Sequence, residues 1–347
     1  MYYMGIDHHK QYSHITIMDE KGSIIKADRV LNRRRKVEDF LFEIRNEELK
    51  AVIESGYSTY TMVDLLEDLG VKVKIAHPLQ VKAIAQAKIK TDKRDSKILA
   101  HLLRSDLIPE AWRRSSSNRE AQRILRHRMN YVKIQTRLKN QIRVLLYKQK
   151  EEIRDLVDGG RALFSNAGME GLMKLKLPNK DKDILEALIR SFEHIKGEIK
   201  RSDALVKSLY NENPESQLII TIPGFGIFLS VLVAVEIADI TRFSSDSKLH
   251  SYAGLIPSTH VSAERSYQGR LVHQGNKHLR WAVVEAVWPA VKADYRICML
   301  YQRIARRKGA NPAKIATARR LLTIIYRMLK EKRRYEFNKL ATRLPSL

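Results

Sequence analysis

The sequence predicts an α/β domain built on a mixed sheet, followed by a mainly helical and strongly basic remainder. The first part reads as three consecutive strands and then helices alternating with strands. Beyond residue 117 the apolar spacing becomes helical. The chain has 347 residues, 64 Lys and Arg against 39 acidic residues, a net charge of +25 and a pI of about 10.0. This length suits two or three domains with a sizeable core.

The first domain is predicted from the order of its segments. "YYMGID" is a short apolar strand, and "YSHITIMDEKGSIIKADRVL" alternates on both sides of a turn, as a β-hairpin does. A helix ("RRRKVEDFLFEIRN"), a strand ("KAVIES"), a helix ("STYTMVDLLEDLG") and a strand ("VKVKIAHP") follow. Two more helices, "LQVKAIAQA" and "RDSKILAHLLR", complete the region. The ribonuclease-H-like (RNase H-like) fold has this order, so residues 1–110 are predicted to form such a domain.

A helical arm is predicted for residues 111–210. The run from Ser117 to about Lys150 lacks Gly and Pro, and a second run covers residues 183–209. Each has an apolar stripe at helical spacing: Tyr131, Ile134, Leu138, Ile142 and Leu145 in the first, and Ile184, Leu188, Phe192, Ile195 and Ile199 in the second. Two long helices around a loop indicate an antiparallel coiled-coil arm. The alternative is two helices of a globular bundle.

The remainder divides into a mainly α-helical domain at residues 211–300 and a basic helical tail at 301–347. The apolar segment Leu218–Ile237 has about the length of a membrane span, but Pro223, Gly224 and Gly226 interrupt it. No signal peptide is recognisable, so a cytoplasmic protein without a membrane segment is expected. The single cysteine, Cys298, excludes an internal disulfide framework and a cysteine-based zinc site.

Positive charge is concentrated in two stretches. Residues 113–150 hold 12 basic residues against one acidic residue, and residues 303–343 hold 14 against two. A solvated helical face would carry interleaved Glu, which these stretches lack. Contacts with nucleic-acid phosphates explain them better, and binding should then weaken steeply with salt.

Four carboxylates form the candidate catalytic and metal-binding set. Asp7 and Glu54 end predicted strands, while Asp92 and Asp95 lie three residues apart on a predicted helix and so share a face. Converging carboxylates repel one another unless cations neutralise them, and Mg²⁺ prefers such oxygen ligands. Each has a simpler alternative: Asp7 as a turn cap, Glu54 as a strand-end charge, and Asp92 and Asp95 as counter-charges of the neighbouring lysines and arginines. The adjacent His8 and His9 are discounted as ligands, since at most one of them can share a strand face with Asp7.

Six motifs carry a family resemblance. "MGIDHHK", "VIESGYSTY" and "KIKTDKRDSKILAHLLR" resemble the DEDD motifs of bacterial insertion-sequence transposases, the family of the Piv DNA invertase and the bridge-RNA-guided recombinases. "IPGFG", "YAGLIPSTHVS" and "GNKHLRWAV" are similar to the family's second, transposase domain. The resemblance implies a RuvC-like first domain holding Mg²⁺ at Asp7, Glu54, Asp92 and Asp95.

The resemblance also implies a serine nucleophile in the loop after "GLIP". The matching position is Ser262, which would attack DNA and form a phosphoserine intermediate. The usual pattern continues with glycine, whereas this chain has Ala263 and Glu264, so the flexibility of the loop is in question. Ser258 and Ser266 are nearby alternatives, and His260 or the carboxylates are candidates for activating the serine.

"IPGFG" resembles the turn of a helix-hairpin-helix element, in which Gly224 and Gly226 let backbone amides approach a phosphate. The alternative is a tight turn packed in the core. With the basic stretches, this gives the predicted nucleic-acid contacts: Arg123, Arg126, Lys133, Arg137, Arg143, Gly224, Gly226, Arg270, Lys277, Arg280, Arg319 and Arg320.

The function expected from these observations is a Mg²⁺-dependent transposase or site-specific DNA recombinase. Its expected partners are donor and target DNA and, from the resemblance, a bridge RNA and further copies of the chain in a dimer or tetramer. A location at the bacterial nucleoid is expected. The alternatives are a structure-specific (Holliday-junction) endonuclease that uses water, and a nucleic-acid-binding protein without catalysis.

Overall fold

The computed structural model describes residues 1–56, 58–85, 91–158, 162–262, 265–271 and 274–336, with the backbone alone at 155–158 and within 258–271. The chain forms two compact units, Met1–Arg114 and Ser115–Leu347. The finer division of the second unit at residues 210 and 300 stays a prediction.

The described part of the first unit contains a five-stranded sheet in the order β3-β2-β1-β4-β5. Its strands are β1 (Tyr2–His8), β2 (Tyr12–Met18), β3 (Ile24–Leu31), β4 (Leu49–Glu54) and β5 (Lys72–Ala76). β1, β2 and β3 pair antiparallel, whereas β4 and β5 continue the sheet from β1 in parallel. The predicted mixed sheet is therefore confirmed, and β1 is its central strand.

Four helices cover the sheet: α1 (Arg34–Leu41), α2 (Thr59–Asp68), α3 (Pro78–Ile84) and α4 (Asp92–Arg104). Side chains alternate between the two faces along each strand. Met4 and Ile6 pack with Phe40 and Met62 from α1 and α2, while Val52 packs with Leu99 from α4. Helices on both faces of a mixed sheet are the arrangement that the sequence order predicted.

The described part of the second unit is mostly helical. Its helices are α5 (Ser116–Tyr147), α6 (Glu151–Asp158), α7 (Asn166–Met173), α8 (Asn179–Glu212), α9 (Pro214–Ile219), α10 (Ile227–Ile237), α11 (Asp246–Ala253), α12 (Lys277–Glu285), α13 (Val287–Ala293), α14 (Tyr295–Lys308) and α15 (Ala310–Glu331). A hairpin of β6 (Pro257–Ser262) and β7 (Arg265–Leu271) lies between α11 and α12.

The two long helices α5 and α8 pack against each other, as the sequence predicted. Ile142 and Leu146 of α5 form a small core with Leu185, Ile189 and Phe192 of α8. The predicted apolar stripe of α8 is correct at the buried Phe192 but needs correction before it, because Ile184 is 50% exposed and the buried positions there are Leu185 and Ile189. Neighbouring apolar residues make both stripes plausible in the sequence, and packing selects one. A coiled-coil geometry for this pair stays a prediction.

A larger core joins α10 to α12, α13 and α15 and includes Val231, Val283, Val287 and Leu322. Apart from the buried Ser230 and Glu236, α10 is apolar on all sides, which suits a helix enclosed by others. No helix among the described residues is both long and apolar enough to cross a membrane.

Candidate active site

Helix α4 lies directly on strand β1, and a glycine makes this approach possible. A Cβ atom added to Gly5 would lie 2.0 Å from the Ser96 carbonyl oxygen and 2.4 Å from the Ala100 nitrogen. A buried hydrogen bond of 2.8 Å between the hydroxyls of Thr16 and Ser96 fixes α4 to β2 as well. Because Gly5 and Asp7 are two residues apart on β1, they share the face that α4 covers.

The first turn of α4 brings Asp92 to the end of β1. Thr91 caps the helix, with its hydroxyl accepting a hydrogen bond from the Arg94 backbone nitrogen. Asp92 and Asp95 both lie in this turn, where the positive end of the helix dipole favours carboxylates. The oxygens or nitrogens of Asp7, His9 and Asp92 lie within 4.8 Å of one another.

His9 stands between the two carboxylates. Its Nε2 atom is 3.3 Å from Oδ2 of Asp7 and 3.1 Å from Oδ2 of Asp92. Nε2 of His14 lies 3.8 Å from the same Asp92 oxygen. His9 therefore lies with the carboxylates in a group that could hold a metal ion, although both histidines are discounted from the sequence; its role as a ligand stays a prediction. Since His9 follows the last residue of β1, strand alternation alone does not place it there.

His8 points away from this cluster. Its ring nitrogens lie 2.8 Å from the Ser13 hydroxyl and 3.0 Å from the Ser58 hydroxyl. Burial lowers the pKa of His8, which favours a neutral ring held by two hydroxyls. Omitting His8 from the ligands agrees with this position.

The carboxyl group of Asp7 is the one most affected by its surroundings. Burial raises its pKa above the ordinary value of 3.8, and the negative charges of Asp92 and Asp95 raise it further. The nearby His9 opposes this shift. A half-buried carboxylate facing two others is an electrostatic arrangement that a bound cation would relieve.

Glu54 ends β4 on the same sheet face. Gly5 pairs with Val52 and Ile6 with Ile53, so the parallel register brings Glu54 beside Asp7. The structure thus brings Asp7, Asp92 and His9 together, with Asp95 close enough to affect Asp7 and Glu54 on the neighbouring strand.

The proposed nucleophile lies in the second unit. Ser262 is the last residue of β6 and pairs with Arg265 across the hairpin. Ser258, His260, Ser266 and Arg270 belong to the same two strands. Ala263 and Glu264 lie outside the described residues. The sequence predicted a loop here, and the structure corrects this to a hairpin, whose alternating residues "STHVS" are compatible with a strand.

The turn "IPGFG" is closely packed at its first glycine. Gly224 has a φ of +95°, and a Cβ there would lie 2.5 Å from the Ala286 carbonyl oxygen. A Cβ on Gly226, at the start of α10, would meet nothing within 4 Å. Packing alone accounts for Gly224, so a phosphate contact at this turn stays a prediction and has more room at Gly226.

The predicted basic contacts fall into two groups. The exposed group is Arg123, Lys133, Arg137, Lys277 and Arg320. The others have protein partners: Nη2 of Arg126 is 3.3 Å from Oε1 of Glu236, and Arg280 donates to the Gly254 carbonyl oxygen. Arg143 lies over the ring of Phe164, and Arg319 lies beside His250.

An arginine-lined cavity of about 560 Å³ opens between α14 and α15. Its charged wall is formed by Arg296, Arg303, Arg320, Arg327 and Arg333, and its apolar wall includes Ile297, Leu300, Ile324 and Met328. Within the described chain, Arg303 and Arg320 have no carboxylate within ion-pair distance. Arg303, Arg327 and Arg333 were not singled out as contacts from the sequence, because a helical period alone does not say which arginines of a basic run face the same groove.

Comparisons with known proteins give two successive family matches. Residues 4–149 match a transposase family model of the DEDD type, and residues 216–302 match the model "Transposase IS116/IS110/IS902 family". The chain is 22% identical to a transposase for an insertion sequence of Coxiella burnetii, over 96% of this chain and 90% of that protein. It is 27% identical to the pilin gene-inverting protein of Moraxella bovis, over 76% of this chain and 74% of that protein.

The two matched regions lie in the expected order, and they fall on the carboxylate cluster and the hairpin respectively. The relatives include transposases and a protein that inverts a gene. The chain therefore belongs to the IS116/IS110/IS902 family of transposases, enzymes that recombine DNA.

Proposed function

We propose that the protein cuts and rejoins donor and target DNA with Ser262 as nucleophile and with Mg²⁺ held by Asp7, Glu54, Asp92 and Asp95. The observation behind this proposal is the cluster of Asp7 and Asp92, with Asp95 close by. The donor set fits a divalent cation, because it is rich in carboxylate oxygens and raises the pKa of Asp7. His9 offers an additional nitrogen ligand atom, a donor that suits transition-metal ions better than Mg²⁺. A cation bound there would stabilise the negative charge on the phosphoryl group during its transfer.

The proposed reaction is a phosphoryl transfer to the serine. The Ser262 hydroxyl gives up its proton to a base as its oxygen forms a bond to phosphorus. The bond from phosphorus to one deoxyribose oxygen breaks, and that oxygen takes up a proton. A hydroxyl of the second DNA strand then attacks the phosphoserine, rejoins the DNA and returns the serine. The phosphoserine intermediate keeps the phosphoryl group in an ester bond, whereas hydrolysis by water would leave free DNA ends. This is the reason to prefer the serine route for rejoining.

Nucleic acid is proposed to bind the exposed face of α5 and the arginine-lined cavity. Lys133 and Arg137 are four residues apart on α5 and so share one face. Arginine suits phosphate because its planar group donates two parallel hydrogen bonds. The apolar wall of the cavity offers a surface for a sugar or base beside the phosphate.

An RNA guide and an oligomer are part of the proposal. Both rest on the family resemblance of the motifs, since the net charge of +25 does not distinguish an RNA partner from a DNA partner. The expected assembly is a dimer or tetramer acting at the nucleoid in the cytoplasm.

The decisive experiment is a search for DNA attached to Ser262. The protein is incubated with DNA carrying the ends of its element, the associated RNA and Mg²⁺, then denatured, and the attached nucleotide is located by mass spectrometry. We expect an adduct that is lost in Ser262→Ala and in Asp95→Asn.

Two outcomes would contradict the proposal. Strand transfer that survives Ser262→Ala would rule out the serine as the nucleophile. Unchanged activity in Asp95→Asn would favour a binding protein in which the carboxylates have no catalytic role.

A further inference from the structure

Glu236 is a fully buried carboxylate in the second unit. Its side chain is 0% exposed, near the end of α10 among Val233, Val235 and Ile237. Burying a charge is costly unless it is hydrogen-bonded, and the C-terminal end of a helix disfavours negative charge. The cost is large enough that this residue needs specific partners.

Among the described residues, the side chains of Gln122, Arg126 and Asn276 donate to this carboxylate. Nε2 of Gln122 and Nη2 of Arg126, both from α5, lie 3.0 Å and 3.3 Å from its oxygens. Nδ2 of Asn276 lies 2.8 Å from Oε2. The backbone carbonyl oxygen of Glu236 also accepts a hydrogen bond of 3.3 Å from the Tyr252 hydroxyl.

Tyr252 and Asn276 lie at the two ends of the β6–β7 hairpin. Tyr252 belongs to α11, just before β6, and Asn276 caps α12, just after β7. The Asn276 nitrogen donates to the Tyr252 carbonyl oxygen at 2.7 Å. The segments before and after the hairpin are closely packed beside this hydrogen bond, since a Cβ on Gly275 would lie 2.7 Å from the Gly254 nitrogen.

Both polar atoms of the Asn276 side chain form hydrogen bonds. Its Oδ1 atom accepts from the backbone nitrogens of His278 and Leu279, which caps α12. Its Nδ2 atom donates to Glu236 and also to the Tyr252 hydroxyl at 3.1 Å. An aspartate would make the same cap but would turn a carboxylate towards Glu236.

We propose that Glu236 is a positioning residue for the nucleophile, fixing both ends of the hairpin that includes Ser262 through Tyr252 and Asn276. This inference rests on the proposed role of Ser262. Such a residue lowers the freedom of the hairpin to swing away from the DNA, and a small displacement of a reacting group costs about 10²-fold in rate.

The test exchanges donor and acceptor between positions 236 and 276. Glu236→Gln alone replaces one acceptor oxygen by an amide nitrogen that cannot accept from the donors around it, and Asn276→Asp alone brings two carboxylates together. In the double variant the new amide at position 236 donates to the new carboxylate at position 276, which still caps α12. We expect each single change to slow formation of the DNA–serine adduct by about 10²-fold and the double variant to recover most of the rate.

A matched control separates positioning from general loss of stability. Val206 of α8 is 1% exposed in the same core, and Val206→Ala destabilises the unit without touching the hairpin ends. Hydrogen exchange of the backbone amides of residues 257–271 should quicken in both single variants and slow again in the double variant. Binding to DNA, measured separately, should change little in any of them.

Three results decide between the possibilities. The role of Glu236 would be overturned if the single variants formed the DNA–serine adduct as fast as Val206→Ala does. It would also be overturned if the double variant formed the adduct no faster than the single variants. Absence of an adduct in the unaltered protein would instead contradict the role of Ser262. In that case hydrogen exchange alone still reports whether Glu236 holds the hairpin.

Discussion

Gly5 of β1 and Ala100 of α4 meet backbone to backbone, with room for a hydrogen but not for a methyl group between them. This contact sets the distance between Asp7 on the strand and Asp92 at the start of the helix.

Gly5→Ala should push α4 off the sheet, because the clash is with backbone atoms that cannot rotate away. Overpacking of this kind costs about 1–3 kcal/mol of unfolding free energy, and the stabilisation by Mg²⁺ should disappear with it. Denaturant unfolding with and without Mg²⁺ measures both effects. Gly197→Ala is the control, since nothing lies within 4 Å of its Cβ position in α8 and it should stabilise by about 1 kcal/mol. A Gly5→Ala protein that still responds fully to Mg²⁺ would refute the link.

Asp7→Asn should stabilise the metal-free protein while removing its response to metal. The raised pKa of Asp7 means that its ionised form destabilises the fold. This penalty is absent at pH values below 3.8, grows as the pH rises from 3.8 through the raised pKa, and is complete above it. Thermal unfolding at neutral pH should therefore show a higher midpoint for the variant.

The same variant gives the metal measurement its control. At a Mg²⁺ concentration of 100 times Kd, the unaltered protein should gain about 2.7 kcal/mol and Asp7→Asn should gain nothing. Asp39→Asn, at a carboxylate of α1 that is 69% exposed, should behave like the unaltered protein. An equal gain in all three would place the cation elsewhere.

Tyr335→Phe should weaken the second unit in a pH-dependent way. The Tyr335 hydroxyl donates a hydrogen bond of 2.6 Å to Oδ2 of the buried Asp294, and burial and this bond raise its pKa to about 12. The stabilisation is complete below the ordinary tyrosine pKa of 10 and is lost as the pH rises from 10.0 to about 12.

The loss expected for Tyr335→Phe is about 1.5–3 kcal/mol, because the acceptor is charged. The difference in unfolding free energy between the two proteins, measured across this pH range, should shrink towards zero. A difference that does not depend on pH would mean that packing of the ring, rather than the hydroxyl, stabilises the unit.

Arg303→Ala combined with Arg320→Ala should weaken binding of nucleic acid and lower its salt dependence. Each phosphate contact releases about one counterion, so the slope of log affinity against log salt should fall by about 2. Titrations of a labelled duplex and a labelled RNA at several salt concentrations measure this, and the larger effect identifies the strand that occupies the cavity. Arg35→Ala in α1 should leave the slope unchanged. An unaltered slope in the double variant would exclude the cavity as a binding site.

The sheet was predictable because its information is local. Alternation marked β2 and β3, buried runs marked β1 and β4, and glycines and prolines marked the ends, so the order of elements followed directly. The same reasoning placed Asp7 and Glu54 on neighbouring strands and Asp92 with Asp95 on one helix turn.

What the sequence did not reveal depends on contacts between distant elements. The buried stripe of α8 was misplaced by one residue in its first turns, since Ile184 and Leu185 are equally apolar and only packing against α5 distinguishes them, whereas Phe192 was placed correctly. The approach of His9 to Asp7 and Asp92 was not evident either, because His9 follows the last residue of β1. The buried hydrogen bonds of Glu236 could not be predicted, because the donors Gln122, Arg126 and Asn276 come from other elements. A single acidic residue in an apolar helix gives no sign of them.

The contact at Gly5 bears on how copies of such an element decay. A copy that keeps every acidic residue of the first domain can still be inactive if this one position gains a side chain. Judging whether an insertion-sequence copy is able to move therefore requires reading the residue two places before the first aspartate as well as the acidic motif itself.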